Sequence, residues 1–498
     1  MSIPLFILRQ TARILRWDRT GTIVTEPVKY HESPLLAEFF RCYSKASPEM
    51  RGMDLSVSDP SPEEKIAATQ ALGLDGAIPL VKLSVPGADG SSLYFVTHTP
   101  TSIPYTPPGR ATRGFRVYDI SRGILVFLKD SWRIDLPDRH PEGSVYKTLN
   151  DAGVRNVLHC LASGDILTAQ YHKTQTWDYV KQPWACHSDT HFLPHRHYRL
   201  ALDIIGRFLV QFSSSYEMVR AVRDALIAHI DAHKAGILQR DLSPGNIIMD
   251  DDRGYLIDWD LSKPVGNQSQ LETPRRATRM GTWQFMSANL IGRINGVHDF
   301  RDDLESSIYV ILWVTSVYSE TSDHDQAAAL LASVLGPSGR TGGYTKADFL
   351  QGTRFLRNVT FPHRPALHTL IGESTPTEFI NRSRLVQTSS GDTDLSHVVR
   401  DTYYKLRMAL LSSHSKTIDL FDNFLQDPSQ WPPYDCAVKQ TLFPNQQAKM
   451  VAKTDWNTTR FMQGLSDGNG DGEADGAKRT EPGSNSEDYE EDVMECSE

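Results

Sequence analysis

The 498-residue chain is 39% apolar and 23% charged, the proportions of a folded globular protein, which excludes a collagen-like or wholly disordered chain and leaves room for two lobes or domains. Its formal charge of -9 sits at one end: Gly464 to Glu498 hold twelve Asp or Glu against Lys478 and Arg479, and the rest of the chain carries about +1. A whole-protein acidic field is thereby excluded, and no basic stretch points to nucleic acid.

Cys42, Cys160, Cys186, Cys436 and Cys496 are odd in number, scattered and without a CxxC pair, so the sequence predicts neither a disulfide framework nor a zinc ribbon. IPLFIL is too short for a signal segment and is followed by Arg9, Arg13 and Arg16; no apolar run of about 18 residues follows anywhere. The expected setting is intracellular, cytoplasmic or nuclear, with no membrane partner.

In chain order, residues 12 to 30 predict two short strands around the turn Asp18 to Gly21. Residues 31 to 80 read as helical and then loop-like, and TPTSIPYTPPG (99–109) marks a connection. GFRVYDISRGILVFLK (114–129) predicts a hairpin with a strand to Tyr118, a turn over 119–123 and an apolar strand ending at Lys129. PEGSVYKTLN (141–150) predicts a short helix carrying Glu142. The clearest helix spans Ser215 to Lys234, with Val222, Leu226 and Ile230 in steps of four and Gly236 beyond its end. Ile247 to Met249 and Tyr255 to Ile257 read as a hairpin turning between Asp250 and Gly254. A polar stretch to about Met280 precedes helices over 303–317 and 394–412. The tail, rich in Gly, Ser, Asp and Glu, cannot bury enough apolar surface to order and is expected to be disordered, open to a basic partner. Its DGNGDGEADGAK imitates a calcium loop but ends on Lys478 where a bidentate Glu is needed, so a solvated acidic segment is the reading kept.

Chemistry concentrates in GILQRDLSPGNIIMDDDRGYLIDWD (236–260). Asn246 stands five places after Asp241, the spacing with which a phosphotransferase loop sets a carboxylate beside an attacking hydroxyl and turns an amide oxygen toward a metal. The hairpin that follows returns Asp258 to the same place. One carboxylate and one amide oxygen suit a hard octahedral ion, so magnesium is implied, with manganese as a second candidate.

Here the sequence resembles the protein-kinase superfamily, more narrowly the fungal-type protein kinase family, over most of residues 10 to 440. QRDLSPGN and IDWD carry the likeness, with GTWQFMSANLIG (281–292) similar to the end of an activation segment and RDDLESSIYVILW (301–313) to the buried helix after it, as in casein-kinase-one-like enzymes. The resemblance implies an α+β, two-lobed protein-kinase-like fold. It implies an N-terminal extension over 1–80, a small lobe over 81–205, a large lobe over 206–460 with a hinge near Gly206, and the acidic tail over 461–498. It also implies an ATP- and magnesium-dependent protein kinase acting on Ser or Thr of a protein substrate. Carried over by residue, Lys129 would hold the α- and β-phosphates with Glu142 as its helix partner. Asp241 would accept the hydroxyl proton beside Arg240, while Asn246 and Asp258 would hold the metal. GRATRGF (109–115) stands in the place of the glycine-rich loop with Gly109 and Gly114, and Asp303 or its neighbour Asp302 would brace the catalytic loop.

Three departures leave alternatives open: Gln239 for the usual histidine, Ser243 for a lysine, and Trp259-Asp260 for Phe-Gly. A pseudokinase scaffold that binds nucleotide without turnover is one. The other is a small-molecule phosphotransferase of the aminoglycoside or choline kinase type, which D-L-x-P-G-N followed by I-D-W also resembles. Two further stretches stand out. Cys186, His187, His191, His195 and His197 are metal-ligand types in what reads as a surface insertion, and Arg275, Arg276 and Arg279 beside Thr273 and Thr278 form a basic loop that a phosphate could order.

Overall fold

The computed structural model describes residues 5–75, 78–101, 108–137, 139–166, 172–186, 192–265, 282–292, 297–336, 345–346, 349, 359–374, 411 and 413–440. The acidic tail, the basic loop near Thr273 and all of the expected 394–412 helix except Leu411 lie outside them. The architecture is α+β, sheet-rich first and helix-rich afterwards.

The chain opens with a small antiparallel sheet of β1 (Leu5–Leu8), β2 (Thr11–Trp17), β3 (Thr22–Val24) and β4 (Val28–Lys29). The Asp18 side chain closes the β2–β3 turn by accepting from Thr20 N at 2.9 Å. Helix α1 (Leu35–Lys45) follows, then β5 (Val57–Ser58) and α2 (Pro62–Leu72). The expected loop-like stretch before residue 80 is therefore corrected to a helix. Its ends are written in the sequence: Ser61 and Glu64 form a capping box, Pro62 occupies the first turn, and Gly73 ends the helix at φ 66°.

Strands β6 (Val81–Pro86), β7 (Ser92–Thr97), β8 (Arg113–Asp119), β9 (Ile124–Ile134), β10 (Cys160–Asp165) and β11 (His195–Leu202) join β5 in a seven-stranded antiparallel sheet of order β10-β11-β9-β8-β7-β6-β5. Its apolar face packs Val85, Phe95, Val117, Val126, Leu128 and Ala201. The β8–β9 hairpin falls where expected, but β9 does not stop at Lys129. It runs on to Ile134 because its later charges are paired: Asp130 accepts from His197 and Arg199 of β11, and Arg133 forms a two-pronged pair with Asp165 of β10 at 2.7 Å. Helix α3 (Glu142–Asp151) packs beside β10, and α4 (Thr176–Tyr179) lies between β10 and β11.

After β12 (Arg207–Phe208) the large lobe is built around α5 (Ser215–Lys234), capped by Ser214, with Val222 and Leu226 buried and Ile230 half-buried. Strands β13 (Ile237–Leu238), β14 (Ile247–Asp250) and β15 (Arg253–Leu256) follow, and β14 pairs with both β12 and β15. Two later helices, Phe300–Tyr318 and His324–Leu335, complete the core with Trp259 and Phe285. The first begins three residues ahead of expectation because Asp299 and Asp302 form a capping box there.

Gly254 sets the close approach of the β14–β15 hairpin to α5. A Cβ at this position would stand 2.5 Å from Ala221 Cα and O, both backbone atoms of a packed helix. Gly254→Ala is expected to cost about 1–3 kcal/mol by overpacking, read as a fall in the urea midpoint at unchanged slope. An unchanged midpoint refutes the account.

Candidate active site

Lys129 is fixed on β9 by its register opposite Gly114 and Leu200, and its side chain reaches from the small lobe toward the segment after β15. Its Nζ donates to Glu142 Oε2 of α3 at 2.7 Å and to Asp258 Oδ1 at 2.8 Å. The other Glu142 oxygen accepts from the backbone N–H of Trp259 at 3.2 Å, so one carboxylate ties the strand lysine to the segment carrying Asp258. Burial works against the charged lysine, but Asp258, Glu142 and Asp260 outweigh it and hold the ammonium well above its usual range. Burial likewise opposes ionisation of Asp258, yet Lys129 and Arg110 bring it down to about 2. Glu142 goes the other way: burial, reinforced by Asp258 and Asp260, pushes it up to about 7 despite Lys129.

The loop from Gln239 to Asn246 meets this group from the large lobe. Asn246 Nδ2 donates to Asp241 O at 2.8 Å and to Asp241 Oδ2 at 3.1 Å, which turns its carbonyl oxygen to the opposite side of the amide. Asp241 Oδ1 accepts from Thr282 N at 2.7 Å. Burial, with a contribution from Asp258, raises the Asp241 pKa although the Thr282 and Asn246 bonds pull it down.

Gln239, in the place expected for histidine, bridges the two halves of the motif. Its Oε1 accepts from Asp241 N at 2.7 Å, while Nε2 donates to Ile257 O at 3.4 Å and Asp258 O at 3.3 Å. Arg240 and Asp258 both occupy the left-handed backbone region, at φ 78° and 57°, a conformation that costs a non-glycine residue and persists only where surroundings enforce it. For Arg240 the enforcing contact is Asp303, whose Oδ2 accepts its N–H at 3.0 Å. Asp303 also accepts from His229 at 2.9 Å and His298 at 2.8 Å, and is itself fully buried. Asp302 instead takes Ser287 Oγ at 2.5 Å, so the register between the two aspartates is resolved in favour of Asp303.

The structure brings together Lys129, Glu142, Asp241, Asn246 and Asp258; Arg240 joins through its backbone. Of the two glycines, Gly109 lies in the β7–β8 connection at φ 95°, donating to Arg19 O at 2.7 Å, whereas Gly114 lies inside β8. Ser243 is buried, and its carbonyl accepts from Asn246 N at 3.0 Å. Trp259 is fully buried, its indole donating to Leu256 O at 3.2 Å.

Two participants have no sequence signal that assigns them. Arg110, beside Gly109, forms a close ion pair with Asp260, and the Asp241 contact of Thr282 comes from a backbone N–H that any residue supplies. The stretch read as a surface insertion carrying metal-ligand types is instead partly built into the sheet: His195 and His197 are buried on β11, with His195 Nδ1 3.5 Å from Thr20 Oγ1 and His197 Nε2 2.8 Å from Asp130, while Cys186 Sγ lies 2.8 Å from Arg13 Nη1. His187 and His191 lie outside the described residues.

A sheet-rich lobe supplying a paired lysine, joined to a helical lobe supplying an Asp–Asn loop and a returning aspartate, defines a kinase-type phosphotransferase. A model of the fungal protein kinase family matches residues 2–315. The chain belongs to the fungal protein kinase family. Among curated proteins none matches it. No helix among the described residues is long and apolar enough to cross a membrane.

Proposed function

We propose that the chain is an ATP- and magnesium-dependent protein kinase that transfers the γ-phosphoryl group to a Ser or Thr hydroxyl of a protein. The observation that carries this reading is the pairing of Lys129 with both Glu142 and Asp258 beside an Asn246 already bonded to Asp241. In this reading residues 1–80 form an extension of the small lobe (81–205), the segment near Gly206 is the hinge to the large lobe (206–460), and residues 461–498 form a tail for a basic partner.

The donor set fits a hard divalent ion. The Asp258 carboxylate and the Asn246 carbonyl oxygen would hold magnesium, with manganese as substitute; the ion supplies neutralisation of charge on the transferring phosphoryl oxygens. Lys129 anchors the α- and β-phosphates, and Glu142 keeps it aimed at them. Gly109 and Gly114, with Arg110 between them, flank the place of the phosphates. Asp241, its pKa raised by burial, orients the attacking hydroxyl and accepts its proton. Arg240 holds the loop backbone against Asp303, and its side chain is the candidate partner for a phosphate on the segment after Asp258.

The test uses full-length protein with labelled ATP and magnesium, alongside Asp241→Asn, reading nucleotide binding and transfer to itself or to a mixed protein substrate. Asp241→Asn is expected to keep nucleotide binding and to lower transfer by about 10²-fold or more. Equal transfer by both proteins removes Asp241 from the proposed role. Binding without transfer in the unaltered protein selects the pseudokinase reading, and transfer only to metabolites selects the small-molecule phosphotransferase.

A further inference from the structure

Away from the cleft, the small lobe holds a second group of chemistry-bearing side chains that the proposed phosphoryl transfer does not use. His172 and His197 are buried, and Asp54 of the N-terminal segment closes the group from a third side. The two histidine Nδ1 atoms lie 2.8 Å apart. Asp54 oxygens lie 3.6 Å from His172 Nε2 and 4.0 Å from His197 Nδ1. A cavity of about 350 Å3 opens on the group, wide enough to admit an ion and its water.

Every ring nitrogen of the two histidines faces a polar atom. Asp130, which also accepts from Arg199 at 2.9 Å, lies 2.8 Å from His197 Nε2, so that nitrogen carries hydrogen. The 2.8 Å approach of the two Nδ1 atoms places one hydrogen between them, and a metal ion is the other species that two facing imidazole nitrogens accept. The Asp54 carboxylate stands 3.6 Å from His172 Nε2, too far for a direct hydrogen bond, and brings negative charge to the rings without closing on them.

We propose that Asp54, His172 and His197 bind one divalent transition ion of the zinc type, through one His172 ring nitrogen, His197 Nδ1 and an Asp54 oxygen, with the cavity side open to water. Two imidazoles and one carboxylate favour such an ion over magnesium. Asp130 is the outer carboxylate with which a metal-bound histidine fixes its tautomer, and Arg199 Nη2 steadies Asp54 at 3.0 Å. Neighbouring ligands of a tetrahedral zinc stand about 3.4 Å apart and the three ligand atoms lie within 4.8 Å of one another, so the group closes by shifts of up to about 1.4 Å. The ion fastens the N-terminal segment and the stretch before α4 to the central sheet.

The experiment takes full-length protein freed of transition metals by chelation, kept in excess magnesium, and titrates it with Co2+ and then Zn2+. One equivalent of Co2+ is expected to bind saturably, to give visible absorption, to quench Trp132, whose ring stacks on His197 at 5.1 Å, and to be displaced by Zn2+. His172→Gln and Asp54→Asn, checked for folding by circular dichroism, are each expected to weaken binding at least about tenfold. X-ray absorption of the unaltered zinc complex decides the matter without a variant: two imidazoles with oxygen support the site, and sulfur or a single imidazole overturns it. Absence of saturable binding overturns it too, as does binding unchanged in both variants, which puts the ion elsewhere. A thermal midpoint unmoved by Zn2+ equally overturns the proposal.

Discussion

Asp258→Asn is expected to lower magnesium-dependent phosphoryl transfer by about 10³-fold while leaving the protein folded. The substitution removes one negative charge from a group where Asp258 and Glu142 share Lys129. It also replaces an oxygen that faces the ammonium at 2.8 Å with an amide unable to neutralise a divalent ion. The backbone tolerates it. Position 258 is left-handed at φ 57°, which asparagine adopts more readily than most residues. The hairpin is held on either side by Ile257 N donating to Asn246 O at 2.9 Å and Trp259 N donating to Glu142. Transfer assays beside a thermal melt check both halves: undiminished turnover removes Asp258 from the metal, and a collapsed melt shows that the aspartate holds the fold.

The second large effect is on stability. Asp303→Ala is expected to destabilise the protein by about 3–5 kcal/mol, because it deprives His229, His298 and the Arg240 N–H of one shared acceptor inside the large lobe. Burial opposes ionisation of Asp303, but His298 and His229 hold its pKa well below the carboxylate range. Its stabilisation is therefore complete above about pH 4 and fades as the pH falls through the depressed value in the fold. Urea denaturation at pH 7 and at pH 4 and below reads this directly: the gap between parent and Asp303→Ala is widest at neutral pH and narrows on acidification. A gap that widens in acid is incompatible with this account.

The motif from Gly236 to Asp260 was legible in the sequence because its parts lie close together in the chain: a capped helix, a loop of fixed length and a two-strand return leave one way for Asp241, Asn246 and Asp258 to meet. Lys129 and Glu142 were legible for a similar reason, a hairpin and a helix start thirteen residues apart. Helix α2 was written as plainly, in Ser61-Pro62-Glu63-Glu64, and masked only by its polar composition. What the sequence could not display is long-range pairing. Nothing local tells that Arg110 meets Asp260, or that Asp54 lies against Arg199 and two histidines. The extent of β9 was hidden likewise, since Asp130 and Arg133 resemble a strand end until the charges opposite them are known.

Strand β9 places Lys129 toward the cleft and Asp130, one peptide bond later, toward the histidines on the other side of the sheet. Side chains alternate with a period of two, so a slip of one residue against β11 exchanges the pair and drives a carboxylate against Glu142 and Asp258 and an ammonium among His197 and Arg199. Both misplacements are costly at once, and neither is relieved without the other. Two neighbouring residues thus act as a two-key lock on strand alignment, penalising misfolded chains before any ligand is present.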